Sequence, residues 1–177
     1  MAFNLKTAAW RILLLGFLAT FALPARAQLV ADPGFELGAD SHIWVMNAGA
    51  TFSETNAHEG THCVKIAAHG TILQKIQNLN PSTAYVLSAY IMIDGPGKAV
   101  LGVQNYGGKF VSTKQTAAPV YQLVKLNFTT GASDTSAEIL LSNGSDSGTV
   151  FADDLDLAPV PPDAAGAPAT PPAPATP

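Results

Sequence analysis

From residue 28 to residue 157 the hydrophobic positions recur in short runs and never settle into a helical period with capping residues at its ends. The runs are rich in β-branched and aromatic residues. Turn chemistry divides them: DPG, NAG, HEG, AHG, NLNPS, DGPG, NYGG, TTGASD and SNGSDSG. This spacing predicts strands at 29–30, 42–47, 51–53, 63–68, 71–77, 83–93, 99–106, 121–129, 137–141 and 149–157. Many short strands at such intervals predict an all-β fold, a two-sheet antiparallel β-sandwich of the jelly-roll kind.

Side chains alternate across a strand, so parity sorts the faces. Tyr85, Leu87, Ala89, Ile91 and Ile93 share one face, and Val86, Ser88, Tyr90 and Met92 the other. Leu101 and Val103 oppose Val100, Gly102, Gln104 and Tyr106, and Val124, Leu126 and Phe128 oppose Lys125, Asn127 and Thr129. The aliphatic set predicts the core. The set carrying Tyr, Gln, Asn and Lys predicts a sheet face open to solvent or to a ligand. In the last run Phe151, Asp153, Leu155 and Leu157 share one parity, which turns Asp153 inward with its apolar neighbours. A buried carboxylate must be paired or neutralised. Its partner is a lysine, a histidine, backbone N–H groups or a metal, or else Asp153 lies at a solvated strand end. Calcium suits an exported protein, because it takes carboxylates and carbonyls together. Glu36, or Asp32 in its turn, can supply the second carboxylate.

The ends of the chain change this picture. Lys6 and Arg11, an apolar run from Ile12 to Leu23, and Ala25-Arg26-Ala27 read as a cleavable signal peptide at 1–27, which implies secretion or a periplasmic location. From Ala158 the chain is mostly proline and alanine. That composition predicts a disordered spacer or tail at 158–177 and leaves one domain at 28–157. Residues 28–177 hold 6 lysines, no arginine and 13 acids, a balance of 6 − 13 = −7. A chain without arginine and with negative net charge is a poor candidate for nucleic acid or for an anionic membrane surface. The single cysteine, Cys63, rules out an internal disulfide and reads as a small buried hydrophobe.

The ordered set DPGFELG, Trp44, HEGTHCVKI, LQKIQNLNPSTAYVLSAYI, AVLGVQNYGG, FTTG and TVFADDLDL resembles the jelly-roll carbohydrate-binding modules of the CBM4/9/22 type, within the galactose-binding-like sandwiches. The resemblance spans about residues 32–157. It implies a structural calcium held by Glu36, by carbonyls around Gly60 and by Asp153. It also implies a polysaccharide ligand on a sheet face or on the loops at one end. Sugars present C–H patches rimmed by hydroxyls, so binding needs aromatic platforms beside amides or charged groups. The candidates are Tyr90, Gln104, Tyr106, Lys125 and Asn127, with Trp44 and Tyr121 near the edge; Trp44 stands where the resemblance implies a core tryptophan, and core packing is its first reading.

Enzyme readings find less support. There is no G-x-S-x-G elbow and no glycine-rich phosphate loop, and HEGTH at 58–62 has the H-E-x-x-H spacing but reads as turn and strand, without the helix that a zinc site of that kind needs. Glu54, Glu59 and Glu138 are acids without a pattern linking them. His58 and His62 form a first-row metal site only if a turn joins them. The expected function is therefore a secreted, non-catalytic, monomeric glycan-binding module with a structural calcium, not inserted in a membrane. The alternatives are an envelope or matrix adhesion module, and a small polysaccharide lyase or hydrolase.

Overall fold

A computed structural model describes residues 28–161. The expected leader, and the expected tail beyond residue 161, lie outside the described residues. Within them, ten strands form two five-stranded antiparallel sheets, as the sequence predicts. The first sheet runs β1 (Val45–Met46), β4 (Thr71–Ile76), β9 (Ala137–Asn143), β6 (Ala99–Gln104) and β7 (Val111–Gln115). The second runs β2 (Ala50–Ser53), β3 (Cys63–Ile66), β10 (Thr149–Pro159), β5 (Ala84–Asp94) and β8 (Gln122–Thr129). The two strands latest in the chain, β9 and β10, occupy the centres of the two sheets. No helix among the described residues is long and apolar enough to cross a membrane.

The core lies between the sheets. Ile72, Ile76, Leu101, Val103, Ile139 and Leu141 come from one, and Val64, Ile66, Leu87, Ala89, Ile91 and Leu157 from the other, all essentially without solvent contact. Each of the Val, Leu and Ile side chains among them contributes about 1.5–3 kcal/mol of burial free energy. Trp44 is in this core and only 6% exposed: its ring packs 5.1 Å from that of Phe35, and its indole N–H donates to the Asp32 carbonyl at 3.0 Å. That removes Trp44 from the sugar-platform candidates.

Four departures from the predicted strands have physical causes. Residues 29–30 make no strand; instead the Gln74 side-chain amide clamps the N–H and carbonyl of Ala31, each at 2.8 Å. β7 was not predicted, because VSTKQ is a polar edge sequence with half-buried Val111, Thr113 and Gln115. The expected tail begins late, since β10 runs on through Ala158 and Pro159. Finally, two non-glycine residues in the left-handed region break the alternation used to sort faces. Asn105 (φ 56°) ends β6, so Tyr106 does not follow Gln104 outward. It is 6% exposed, edge-on to Phe128 at 5.1 Å, and its hydroxyl donates to the Lys109 carbonyl. Tyr106 is thus a core residue, not a platform. Asp154 (φ 49°) sits where the β10–β5 ladder slips between Asp153 and Asp156. Leu155 and Leu157 face the core, whereas Phe151 and Asp153 pair with Met92 and Tyr90 and leave on the opposite face.

Candidate functional site

Asp153 is fully buried, but not between the sheets. It lies beneath the loop joining β2 to β3, which folds over the outward face of the second sheet. Its Oδ2 accepts the N–H of His58 at 2.8 Å and of Glu59 at 3.3 Å, and its Oδ1 accepts the N–H of Asp154 at 2.8 Å. Burial pushes its carboxyl pKa up, against these donors. A few residues further along the same loop, Glu36 accepts the N–H of Thr61 at 2.8 Å and of His62 at 3.0 Å, and the Thr61 hydroxyl at 2.7 Å. The Thr61 hydroxyl, then the two N–H groups, hold the Glu36 carboxyl down at about 2.

The two ends of the domain therefore meet here. A β-carbon on Gly34 would stand 3.7 Å from carboxylate oxygens of both Asp153 and Asp154, and the Leu155 N–H donates to the Pro33 carbonyl at 3.0 Å. Gly60 has φ 63°, and a β-carbon there would run into Glu36 Oε1, so glycine is needed twice over. One Asp32 carboxylate oxygen, Oδ2, is buried without a hydrogen-bond partner, while the other accepts the Leu37 N–H at 3.2 Å. Each carboxylate offers about four lone-pair directions, so the donors above leave acceptor capacity on both Glu36 and Asp153. Oxygen donors of this kind suit a hard divalent cation, but the ligand atoms of these three carboxylates do not gather within 4.8 Å of one another.

The histidines separate. His58 Nδ1 lies 2.6 Å from Asp154 Oδ2, and His62 Nδ1 lies 3.3 Å from Glu36 Oε2. His58 stacks on Tyr90 with ring centroids 3.8 Å apart and meets Tyr121 edge-on at 5.1 Å. The Tyr121 hydroxyl donates to the Asn56 carbonyl. His58, Glu59 and Asp154 present ligand atoms within 4.8 Å of one another. Cys63 is buried under the same loop, and desolvation pushes its thiol pKa up.

The predicted sugar-binding residues thus do not share one face. Tyr90, Tyr121, Lys125 and Asn127 belong to the second sheet and its approach, and Tyr90 is already covered by an imidazole. Gln104 belongs to the first sheet. There the register sets outward residues in rows. One row crosses all five strands as Val45, Leu73, Leu140, Gly102 and Ser112. The next holds Lys75, Glu138 and Gln104. Phe110 is 52% exposed and lies across Gly102, whose missing side chain makes the room. The ring is placed by the β6–β7 turn, which Tyr106 pins from below through its hydroxyl and through its carbonyl, acceptor of the Gly131 N–H at 2.8 Å. Beside this apolar row Gln104 Nε2 donates to Glu138 Oε1 at 2.9 Å, and Asn105 Nδ2 donates to Glu138 Oε2 at 3.2 Å. A hollow lined by Lys75, Asn105, Ser136 and Glu138 opens alongside. Sequence reasoning missed Phe110 and gave Glu138 no binding role; the alternation of 137–143 already turned Glu138 outward.

No protein-family model matches the chain. Over 134 residues, 75% of its length, the chain is 31% identical to the keratan-sulfate endo-1,4-beta-galactosidase of Sphingobacterium multivorum. It spans 31% of that enzyme's length. Among solved structures it resembles the module TmCBM61 in complex with beta-1,4-galactotriose, with a TM-score of 0.63 and 20% identity over 76% of this chain and 100% of that one. It also resembles a family 16 carbohydrate-binding module, with a TM-score of 0.56 and 20% identity over 73% of this chain and 99% of that one. The CBM22-1 xylan-binding domain of Paenibacillus barcinonensis Xyn10C gives 0.52 and 14%, over 72% of this chain and 91% of that one. The fold is therefore the one that carbohydrate-binding modules of these families share, including the type suggested by the sequence.

Proposed function

We propose that the domain binds glycan on the outward face of its first sheet, with β-1,4-linked galactosyl chains as the ligand class. The observation that carries this reading is Phe110, lying half-exposed on Gly102 beside the Gln104–Asn105–Glu138 network. The ring and the Leu73–Leu140 row offer an apolar strip for sugar C–H faces. The amides and the carboxylate offer directional partners for hydroxyls. Two comparisons of different kind, one by sequence and one by fold, lead to proteins named for β-1,4-galactosyl glycans. Binding without cleavage is the favoured reading. A glycosidase needs two carboxylates about 5–10 Å apart, and the strands of this sheet carry one, Glu138, while Glu54 and Glu59 lie on the loop over the other sheet.

Calorimetry with β-1,4-galactotriose and β-1,4-galactan is the test. Binding is expected for the native protein, and Phe110→Ala is expected to weaken it by about 1–3 kcal/mol, the cost of losing an aromatic anchor, with an unchanged thermal melt. No binding, or equal binding by Phe110→Ala, would remove this face from consideration.

The reading includes a structural calcium held by Glu36, Asp153, main-chain oxygens around Gly60 and Asp32. Its part is to join the first segment, the β2–β3 loop and β10, away from the ligand face. The domain in this reading is secreted or periplasmic and acts as a monomer.

A further inference from the structure

Six lysines lie among the described residues, and four of them fall on the side of the proposed ligand face. Lys75 and Lys114 point outward from β4 and β7, Lys114 standing opposite Val100 in the ladder. Lys98 has the parity of Val100, and its stem runs beside it over Gly144, where a β-carbon would stand 3.0 Å from Lys98 Cε and 3.5 Å from a Val100 methyl. Lys109 is exposed in the β6–β7 turn next to Phe110. None of the four makes an ion pair within 4.0 Å among the described residues. The strands of this sheet carry one acid, Glu138, already engaged by two side-chain amides. In a domain with twice as many acids as lysines, four lysines without an ion pair on one side give that side a local positive field, the kind that draws anions.

We infer that the bound galactosyl chain carries sulfate esters, and that Lys98 and Lys114 contact them. This rests on the glycan-binding reading above. The geometry separates two rims. Glu138, Gln104 and Asn105 flank the apolar row on one side, with Lys75 in the same row as Glu138; on the other side Lys114 stands one row step, about 7 Å, and Lys98 two row steps, about 13 Å, away along the strands. Neutral hydroxyls would meet the amide rim and an anionic ester the lysine rim, where ammonium-to-oxyanion hydrogen bonds are charge-assisted. The relative that shares sequence with this chain is named for a sulfated glycan.

The experiment compares keratan sulfate oligosaccharides with their chemically desulfated counterparts by calorimetry, at low and at high sodium chloride, for the native protein and for the double variant Lys98→Gln/Lys114→Gln. The sulfated form is expected to bind about tenfold tighter at low salt, as two exposed charge contacts allow. Screening should erase the advantage at high salt. The double variant should lose the advantage too while binding the desulfated chain as before. Equal affinity for the two forms, or a sulfate preference that survives in the double variant, would overturn the inference and leave the glycan reading standing. Polygalacturonate binding as tightly as the sulfated chain would overturn the assignment to sulfate. Binding of neither form would overturn the glycan reading together with this one.

Discussion

A β-carbon on Gly102 would stand 2.7 Å from Phe110 Cε2 and 3.2 Å from Leu140 Cγ. The ring must lift if one is added, and nothing beneath it holds it in a raised position. Gly102→Ala is expected to keep the fold, with a melting temperature within a few degrees of native, because the covering ring of Phe110 is half-exposed and can move outward. Its affinity for galactotriose should fall with the ring's displacement, read by calorimetry. At Tyr121 burial, first, and then the neighbouring Cys63, push the phenol pKa well above its ordinary value. A group whose pKa is raised on folding contributes stability that is complete below its unfolded value, about pH 10, and is lost as the pH rises further. Chemical denaturation of the native protein between about pH 9 and 11.5 should therefore show a steeper alkaline loss than Tyr121→Phe, whatever the offset between them at neutral pH. Parity along Tyr85–Ile93 was readable in full, because that strand is regular and every second residue is apolar. It failed at Asn105 and Asp154, where a non-glycine residue turns left-handed. Nothing in the sequence distinguishes these two from other Asn and Asp residues. Asp153 was correctly singled out as buried, by a face assignment that the kink at Asp154 overturns.

The β2–β3 loop is the element that depends most on distant chemistry. Its main-chain N–H groups at His58, Glu59, Thr61 and His62 are satisfied by carboxylates delivered from the first segment and from β10. Two effects should separate in a thermal melt. Chelation is expected to lower the melting temperature of the native protein if the proposed calcium is held there; an unchanged melt in excess chelator would count against the ion. Asp153→Ala is expected to cost about 3 kcal/mol even in chelator, because it also takes the acceptor from three N–H groups, those of His58, Glu59 and Asp154. Equal stability of variant and native protein in chelator would show that the hydrogen bonds contribute little. The meeting of DPGFE with FADDLDL was legible from the acids inside apolar runs. The cover over it was not, since a loop's path depends on which carboxylates await it. β7 was missed for a related reason: an edge strand buries only half its side chains and reads as polar sequence.

At the scale of the whole molecule, two sheets and their facing cores follow from alternation summed over ten strands. Which outward faces coincide does not, because parity assigns a residue to a side of its own strand and says nothing of which sheet that strand joins. Tyr90 and Gln104 share a parity argument and lie on different sheets. The gathering of lysines was hidden for the same reason. The order of strands within the sheets bears on synthesis as well. β9 and β10 occupy the middle of their sheets, so every strand pair that joins one half of a sheet to the other waits for residues 137–159. A ribosome must have delivered almost the whole domain before either sheet can close, and the earlier strands emerge as separate ribbons with open edges. A chain stopped before Ala137 is expected to show no cooperative melt by circular dichroism, whereas a segment of residues 137–161 added in trans supplies both missing centres at once.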